Sequence, residues 1–86
     1  MYRAIFSSRA QKGLLDLPDI HARRIKHAIE KLMQEPRTHG TIKLDNAPAG
    51  EYRYRVGALR ILFDIDDKNE IIEILDIRKR NERTYR

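Results

Sequence analysis

Two hydrophobic periodicities divide the 86-residue chain. Between residues 19 and 35 the apolar side chains recur three and four positions apart, the spacing of one helical face; they are Ile25, Ala28, Ile29, Leu32 and Met33. Pro36 ends this predicted helix. A strand rich in aromatic and β-branched residues is predicted over residues 2–7, followed by a shorter helix over residues 9–17 with Ser8 as its N-cap.

The second half of the chain has the two-residue period of β-strands. A turn at Gly57 and the polar turn DDKN join three strand-like runs, over residues 51–56, 59–66 and 70–77. A brief apolar stretch at residues 42–44 precedes them. Short connections favour an antiparallel meander. The sequence therefore predicts one α+β domain over residues 1–86, with an N-terminal strand, a two-helix hairpin, and a meander of three to four strands forming one sheet with the helices on one face.

Alternation along EYRYRV and LRILFDID separates the side chains of these strands into two sets. The apolar set faces the helices, and the other set places Arg53, Arg55 and Arg60 on the exposed face of the sheet. Like charges side by side on a sheet destabilise it unless something screens them. Two interpretations follow. The arginines bind an anion, or they form a solvated face with ion pairs to Glu51, Asp64 or Asp66.

The charge of the chain favours a polyanionic ligand. Lys and Arg number 18 against 13 acidic residues, which gives a net charge of +5. Arginine binds phosphate through two parallel N–H groups, which lysine does not. The segment RKRNERTYR, residues 78–86, is also basic, and because the last strand is expected to end at Ile77, this segment should leave the sheet beside the arginines. A basic surface with an aromatic residue favours nucleic acid.

Composition excludes several other classes. The chain has no cysteine, so it has neither a disulfide framework nor a cysteine-based zinc site. His21 and His27 are six positions apart, which is not the spacing of a helical metal pair. No apolar run approaches the roughly 20 residues of a membrane span. Residues 1–13 lack the apolar core of a secretory signal, so we expect a cytoplasmic protein with no membrane partner.

The stretch YRYRVGALRILFDIDDKNEIIEILDIRKRNERTYR resembles the C-terminal half of RelE/ParE superfamily toxins. The resemblance extends to EPR after the second helix and to KLDN further on, and it spans nearly the whole chain. It implies a RelE-like fold. Toxins of the RelE type are endoribonucleases that cut messenger RNA in the decoding site of the ribosome. They use no metal or cofactor, and a cognate RelB-like antitoxin holds them inactive.

The resemblance also implies a role for individual residues. Arg60 matches the arginine at the scissile phosphate, Arg80 the arginine that stabilises the transition state, and Tyr85 the tyrosine that stacks on a base or helps to deprotonate the attacking hydroxyl. The residues expected to bind RNA are Lys43, Arg53, Arg55, Arg78, Lys79 and Arg83. Lys79 stands where many relatives carry histidine. No metal ligand is expected.

Two alternatives remain open from the sequence. ParE-like members of the superfamily have the same fold and inhibit DNA gyrase. A third class would bind RNA or a partner protein without cleaving anything. The combination of Arg60, Arg80 and Tyr85 favours the endoribonuclease, because gyrase-directed members usually lack this set. The expected partners are thus the cognate antitoxin, the ribosome and messenger RNA.

Overall fold

A computed structural model describes residues 1–44 and 51–79. Its elements follow the predicted α+β order, and they are β1 (Arg3–Phe6), α1 (Ser8–Leu15), α2 (Asp19–Gln34), β2 (Thr41–Lys43), β3 (Tyr52–Val56), β4 (Leu59–Asp66) and β5 (Ile71–Lys79). Within the described ranges, neither helix is long and apolar enough to cross a membrane.

All five strands belong to one sheet, in the order β1-β5-β4-β3-β2. Strands β2 to β5 form the predicted antiparallel meander, and β1 lies parallel to β5 at one edge. The helices cover one face, and the core between helices and sheet includes Ile25, Leu32, Ile61, Phe63, Ile72 and Ile74, all fully buried. Tyr52 and Tyr54 pack against this core, as their position in the alternation predicts. The predicted fold class is confirmed.

The start of α1 differs from the prediction by one residue. Ser7, not Ser8, is the N-cap, and its side-chain oxygen accepts a hydrogen bond from the Ala10 N–H at 3.0 Å. The same hydroxyl donates to the Leu75 carbonyl at 2.7 Å, so Ser7 also ties the start of the helix to β5. Ser8 lies inside the first turn because β1 already ends at Phe6.

A two-residue loop, Gly57 and Ala58, joins β3 to β4. Gly57 has a φ of 60°, whereas Ala58 is not among the residues with positive φ, and this combination is typical of a II′ hairpin turn. The tight turn pairs Val56 with Leu59. Since loop length determines hairpin register, it also determines which residues of the two strands face each other further along.

Strand β5 contains a β-bulge. Phe63 pairs with Ile74 and Leu62 with Asp76, so Leu75 is an extra residue without a partner in β4. A one-residue shift exchanges the two faces of a strand. Before the bulge Ile74 faces the helices, and after it Ile77 does.

The bulged strand is longer than predicted. It continues to Lys79 rather than ending at Ile77, so Arg78 and Lys79 are part of the sheet and do not leave it. Arg78 pairs with Arg60, and Lys79 pairs with Leu59. The bulge therefore directs Arg78 to the exposed face, because unbroken alternation from Ile74 would direct it toward the helices.

Four side chains hold the β4–β5 turn against the rest of the domain. Arg37 donates two hydrogen bonds to the Asp67 carboxylate, each at 3.0 Å, and Tyr2 donates a third at 2.6 Å. The Arg37 guanidinium also lies over the Tyr52 ring, 5.6 Å from its centroid. These hydrogen bonds, from Arg37 first and from Tyr2 second, hold the pKa of Asp67 below its usual value. We call these four residues the turn clamp.

Candidate nucleic-acid interface

Three arginines from three adjacent strands form a row across the exposed face of the sheet. Arg55 of β3 pairs with Arg60 of β4, and Arg60 pairs on its other side with Arg78 of β5. Neighbouring strands lie about 4.8 Å apart, so the row brings three guanidinium groups within reach of one phosphate group. Arg53, one alternation away on β3, lies on the same face. We call Arg55, Arg60 and Arg78 the arginine row, and the row with Arg53 the arginine face.

A buried carboxylate lies next to one end of the row. Asp76 is 7% exposed, and its Oδ2 accepts a hydrogen bond from the Nε of Arg78 at 2.7 Å. The Arg78 side chain itself is about half exposed. The hydrogen bond to Asp76 therefore orients the Arg78 side chain, and the negative charge of Asp76 offsets part of the repulsion among the arginines. Sequence reasoning missed Asp76, because the bulge that directs it to this face was not foreseen.

The opposite end of the same face is acidic, and its carboxylates accept hydrogen bonds from neighbouring backbone and amide N–H groups. Asp64 accepts a hydrogen bond from the Glu51 N–H at 2.7 Å. Asp66 accepts two from Asn69, at 2.9 and 3.1 Å, and the side-chain bond in particular lowers the pKa of Asp66. Within the described residues, 1–44 and 51–79, neither Arg53 nor Arg55 forms an ion pair. The alternative that carboxylates neutralise these two arginines therefore finds no support among the described residues.

The two predicted RNA-binding lysines, Lys43 and Lys79, do not lie on the arginine face. Lys43 pairs with Tyr52, and Lys79 pairs with Leu59, so both stand on the helix side of the sheet rather than on the arginine face. Both are exposed. Their side of the sheet follows from strand register, which for Lys79 depends on the bulge. A contact of either lysine with RNA stays a prediction.

The remaining predicted site residues, Arg80, Arg83 and Tyr85, lie outside the described residues, and their roles stay predictions. Among the residues that the structure does describe, no group of three or more His, Asp or Glu side chains could hold a metal ion. The described part of the site is thus a set of fixed guanidinium groups with one buried carboxylate. Such a set can bind a phosphate and stabilise negative charge that develops on it.

Comparison with known proteins places the chain in a family. The family described as the ParE toxin of the type II toxin–antitoxin system parDE matches residues 4–84. The chain therefore belongs to this family, within the RelE/ParE superfamily, and is a toxin of a type II toxin–antitoxin system. No curated protein sequence matches it.

Solved structures of toxin–antitoxin complexes are similar to the chain. The archaeal RelE–RelB complex from Pyrococcus horikoshii contains a chain that is 29% identical, with a TM-score of 0.80 over 94% of this chain and 97% of that one. In the RelBE2 complex from Mycobacterium tuberculosis the identity is 31%, with a TM-score of 0.76 over 92% and 98%. The intact RelBE complex from E. coli, at 19% identity and a TM-score of 0.80 over 95% and 100%, shows the fold alone.

Proposed function

We propose that this toxin is a ribosome-dependent endoribonuclease that cleaves messenger RNA in the decoding site and is neutralised by a cognate antitoxin. The observation that carries the proposal is the arginine row, in which Arg60 is flanked on both neighbouring strands by another arginine. Guanidinium groups on adjacent strands can bind the oxygens of one phosphate through several N–H groups at once. The requirement for the ribosome comes from the resemblance to RelE-type toxins.

The arginine row suits cleavage of RNA by its own 2′-hydroxyl. In this reaction the 2′-oxygen attacks the adjacent phosphorus, and the bond from phosphorus to the 5′-oxygen breaks. The products are a 2′,3′-cyclic phosphate and a 5′-hydroxyl, and one proton leaves the 2′-oxygen while another reaches the 5′-oxygen. Negative charge grows on the phosphorus oxygens in between. A preorganised donor aimed at such charge typically contributes about 10²–10³ in rate.

The position of each arginine on the sheet determines the role that we propose for it. Arg60 lies at the centre of the row and is the residue we propose at the scissile phosphate. Arg55 and Arg78 flank it, and Arg53 extends the face along β3 toward the neighbouring nucleotides. For the transition-state contact and the proton transfers we propose Arg80 and Tyr85, on the resemblance alone. Asp76 acts through Arg78 and is a positioning residue.

The partner we propose is a RelB-like antitoxin with an acidic segment. The similar chains from P. horikoshii and M. tuberculosis occur in complexes with their antitoxins. A small basic toxin of net charge +5 is well matched by an acidic, partly disordered segment that folds on binding. Such a segment would offer carboxylates to the arginines in place of phosphates.

Inhibition of DNA gyrase is the second candidate, and the match to the ParE family model over residues 4–84 favours it. The two functions require different chemistry from the same face. A gyrase inhibitor needs only a binding surface, whereas an endoribonuclease needs cations fixed around one phosphate. The arginine row supports the second requirement, and this is why we place the endoribonuclease first.

Primer extension on a messenger programmed into purified ribosomes tests the proposal, beside a gyrase supercoiling assay with the same protein. We expect discrete cuts inside the decoding-site codon that the antitoxin abolishes, and normal supercoiling. Loss of supercoiling without any cut would establish the gyrase-directed function instead. Retarded but uncut RNA, with normal supercoiling, would indicate a non-catalytic member.

A further inference from the structure

A groove of about 560 Å³ lies between α2 and β3, next to the arginine face. Its rim is cationic and is formed by Arg23, Arg24, His27, Lys31 and Arg55. The half-buried Tyr54 and Val56 of β3 form its floor. We call it the α2 groove.

The short strand β2 leaves this groove open. Its pairing with β3 ends at Thr41 and Tyr54, so Arg55 and Val56 have no neighbouring strand on that side among residues 1–44 and 51–79. Helix α2 crosses the gap, and its Arg23, His27 and Lys31 form one stripe, since they lie four positions apart. The strand edge and the helix stripe together make a channel lined with positive charge.

The cations of the groove are poorly neutralised. In the described portion of the chain, no ion pair involves Arg23, Arg24 or Lys31. Glu30 approaches His27 only at 3.9 Å, and both side chains are largely exposed. Arg23, Arg24 and Lys31 are thus three permanent positive charges that an anion in the groove would neutralise.

The groove is continuous with the arginine row through Arg55. This residue pairs with Arg60 in the sheet and also lines the groove. Arg24 also reaches the β3–β4 turn. One of its Nη atoms lies 3.8 Å from where a Cβ atom would stand if residue 57 were not glycine. Positive charge therefore runs from the sheet face, around the edge of β3, to helix α2.

The lining of the groove favours RNA phosphates over an acidic helix as its occupant. An amphipathic helix binds through large apolar anchors, which need apolar surface to enter. The exposed large apolar residues of the described chain lie elsewhere, and they are Met1, Ile5, Leu15, Ile20 and Ile42. In the groove, Lys31 lies over the Tyr54 ring at 6.0 Å from its centroid, so a cation covers its aromatic floor. Phosphates need only the cations.

We propose that the α2 groove is a second phosphate-binding surface, which holds the backbone of structured RNA while the arginine face binds the strand to be cut. The proposal rests on the proposed function. The α2 groove would increase the affinity for RNA and orient the toxin on it, but it would contact no base and take no part in the chemical step. Each lost phosphate contact reduces the salt dependence of binding, because fewer counterions are released.

The test compares two triple variants with the same change in charge. The groove variant is Arg23→Gln/Arg24→Gln/Lys31→Gln. The matched control is Arg3→Gln/Arg9→Gln/Lys12→Gln, which removes three exposed cations from β1 and α1, none of which lines the groove. Binding to a fluorescent RNA hairpin is measured by anisotropy over a series of potassium chloride concentrations. Thermal unfolding of each variant checks that both are folded.

We expect the slope of log affinity against log salt to fall by about 2 in the groove variant, at roughly 0.7–0.9 per phosphate contact, and to stay at the wild-type value in the control. An unchanged slope in the groove variant would overturn the proposal, as would equal losses in both variants. So would a groove variant that keeps its slope for RNA but loses binding to polyglutamate, which would assign the groove to an acidic polypeptide. Because anisotropy does not depend on cleavage, failure of the nuclease assay on ribosomes would not produce any of these results.

Discussion

The two strand pairs that build the arginine row, β3–β4 and β4–β5, reach their register by different means. The first is a regular hairpin whose two-residue loop pairs Val56 with Leu59, and regular alternation then pairs Arg55 with Arg60. The second contains the extra residue Leu75, which shifts the alternation before Arg78 meets Arg60. One half of the row thus depends on a turn, and the other half depends on a bulge.

The bulge allows burial and charge to agree in β5. Ile72, Ile74 and Ile77 all lie in the core, although 77 has the opposite parity to 72 and 74. Without the shift, Ile77 would face solvent and Arg78 would face the helices. Burying an unpaired charge is far more unfavourable than bending a strand, so the bulge is the lower-energy arrangement.

Placing a charge at position 77 should have the largest effect, because the bulge directs this residue into the core. We expect Ile77→Lys to lose at least about 3 kcal/mol in the free energy of unfolding, since a buried apolar side chain is replaced by an unpaired cation. Urea unfolding followed by circular dichroism measures this. Leu75→Lys is the control, since Leu75 is half-buried and has the same parity as Ile77; it should lose about 1 kcal/mol. Equal losses in the two variants would show that the alternation is unbroken and that the bulge does not set the register.

Replacing Gly57 with valine should damage the regular hairpin less severely. A β-branched residue disfavours a φ of 60°, and we expect a loss of about 1–2 kcal/mol in the free energy of unfolding. Ala58→Val places the same side chain at the next loop position, where φ is not positive, and should have a smaller effect. A larger loss in Ala58→Val would contradict our assignment of the turn.

Asp76→Asn separates the orientation of Arg78 from its charge. The variant keeps the shape of the side chain but removes the charged acceptor, so we expect a loss of about 1 kcal/mol in stability. If Asp76 positions Arg78 for catalysis, the cleavage rate at saturating ribosome concentration should also fall, though less than in Arg78→Gln. A loss of stability with an unchanged rate at saturation would reduce Asp76 to a structural residue.

Acid should weaken the turn clamp that holds the β4–β5 turn. The pKa of Asp67 is lower in the folded protein than its ordinary value near 4, so its contribution to stability is complete above that pH and is lost as pH falls through the lowered pKa. Arg37→Gln removes the main cause of the lowering. In thermal melts between pH 6 and pH 2.5, we expect the variant to lose less stability than the wild-type protein. Parallel curves would show that the turn clamp does not stabilise the fold.

The sequence predicts the regular hairpin and misses the bulge for a physical reason. Alternation along YRYRV and LRILFDID agrees with one register, so the partners Arg55 and Arg60 can be read directly. In EIIEILDIRK the alternation fails after Ile74, and the predicted strand, which ends at Ile77, takes no account of this failure. The signal was present: charged residues at 73, 76 and 78 change parity together with the isoleucines.

Contacts between distant segments are the other part that the sequence could not provide. The α+β order and the helix bounds follow from local periodicity and from Pro36. The parallel pairing of β1 with β5, the bond from Arg37 to Asp67, and the approach of α2 to the edge of β3 depend on tertiary packing. No local pattern encodes them, so the α2 groove became visible only in the structure.

The central claim is that the arginine row is the phosphate site of an endoribonuclease. Single-turnover cleavage of a messenger on programmed ribosomes, followed by primer extension, tests it most directly with Arg60→Gln, Arg78→Gln and the control Arg3→Gln. We predict that Arg60→Gln lowers the rate about 10²–10³-fold and that Arg78→Gln also lowers it. Arg3→Gln should cut at the wild-type rate, because Arg3 pairs with Ile71, at the opposite end of β5 from Arg78. Wild-type rates for both row variants would contradict the claim.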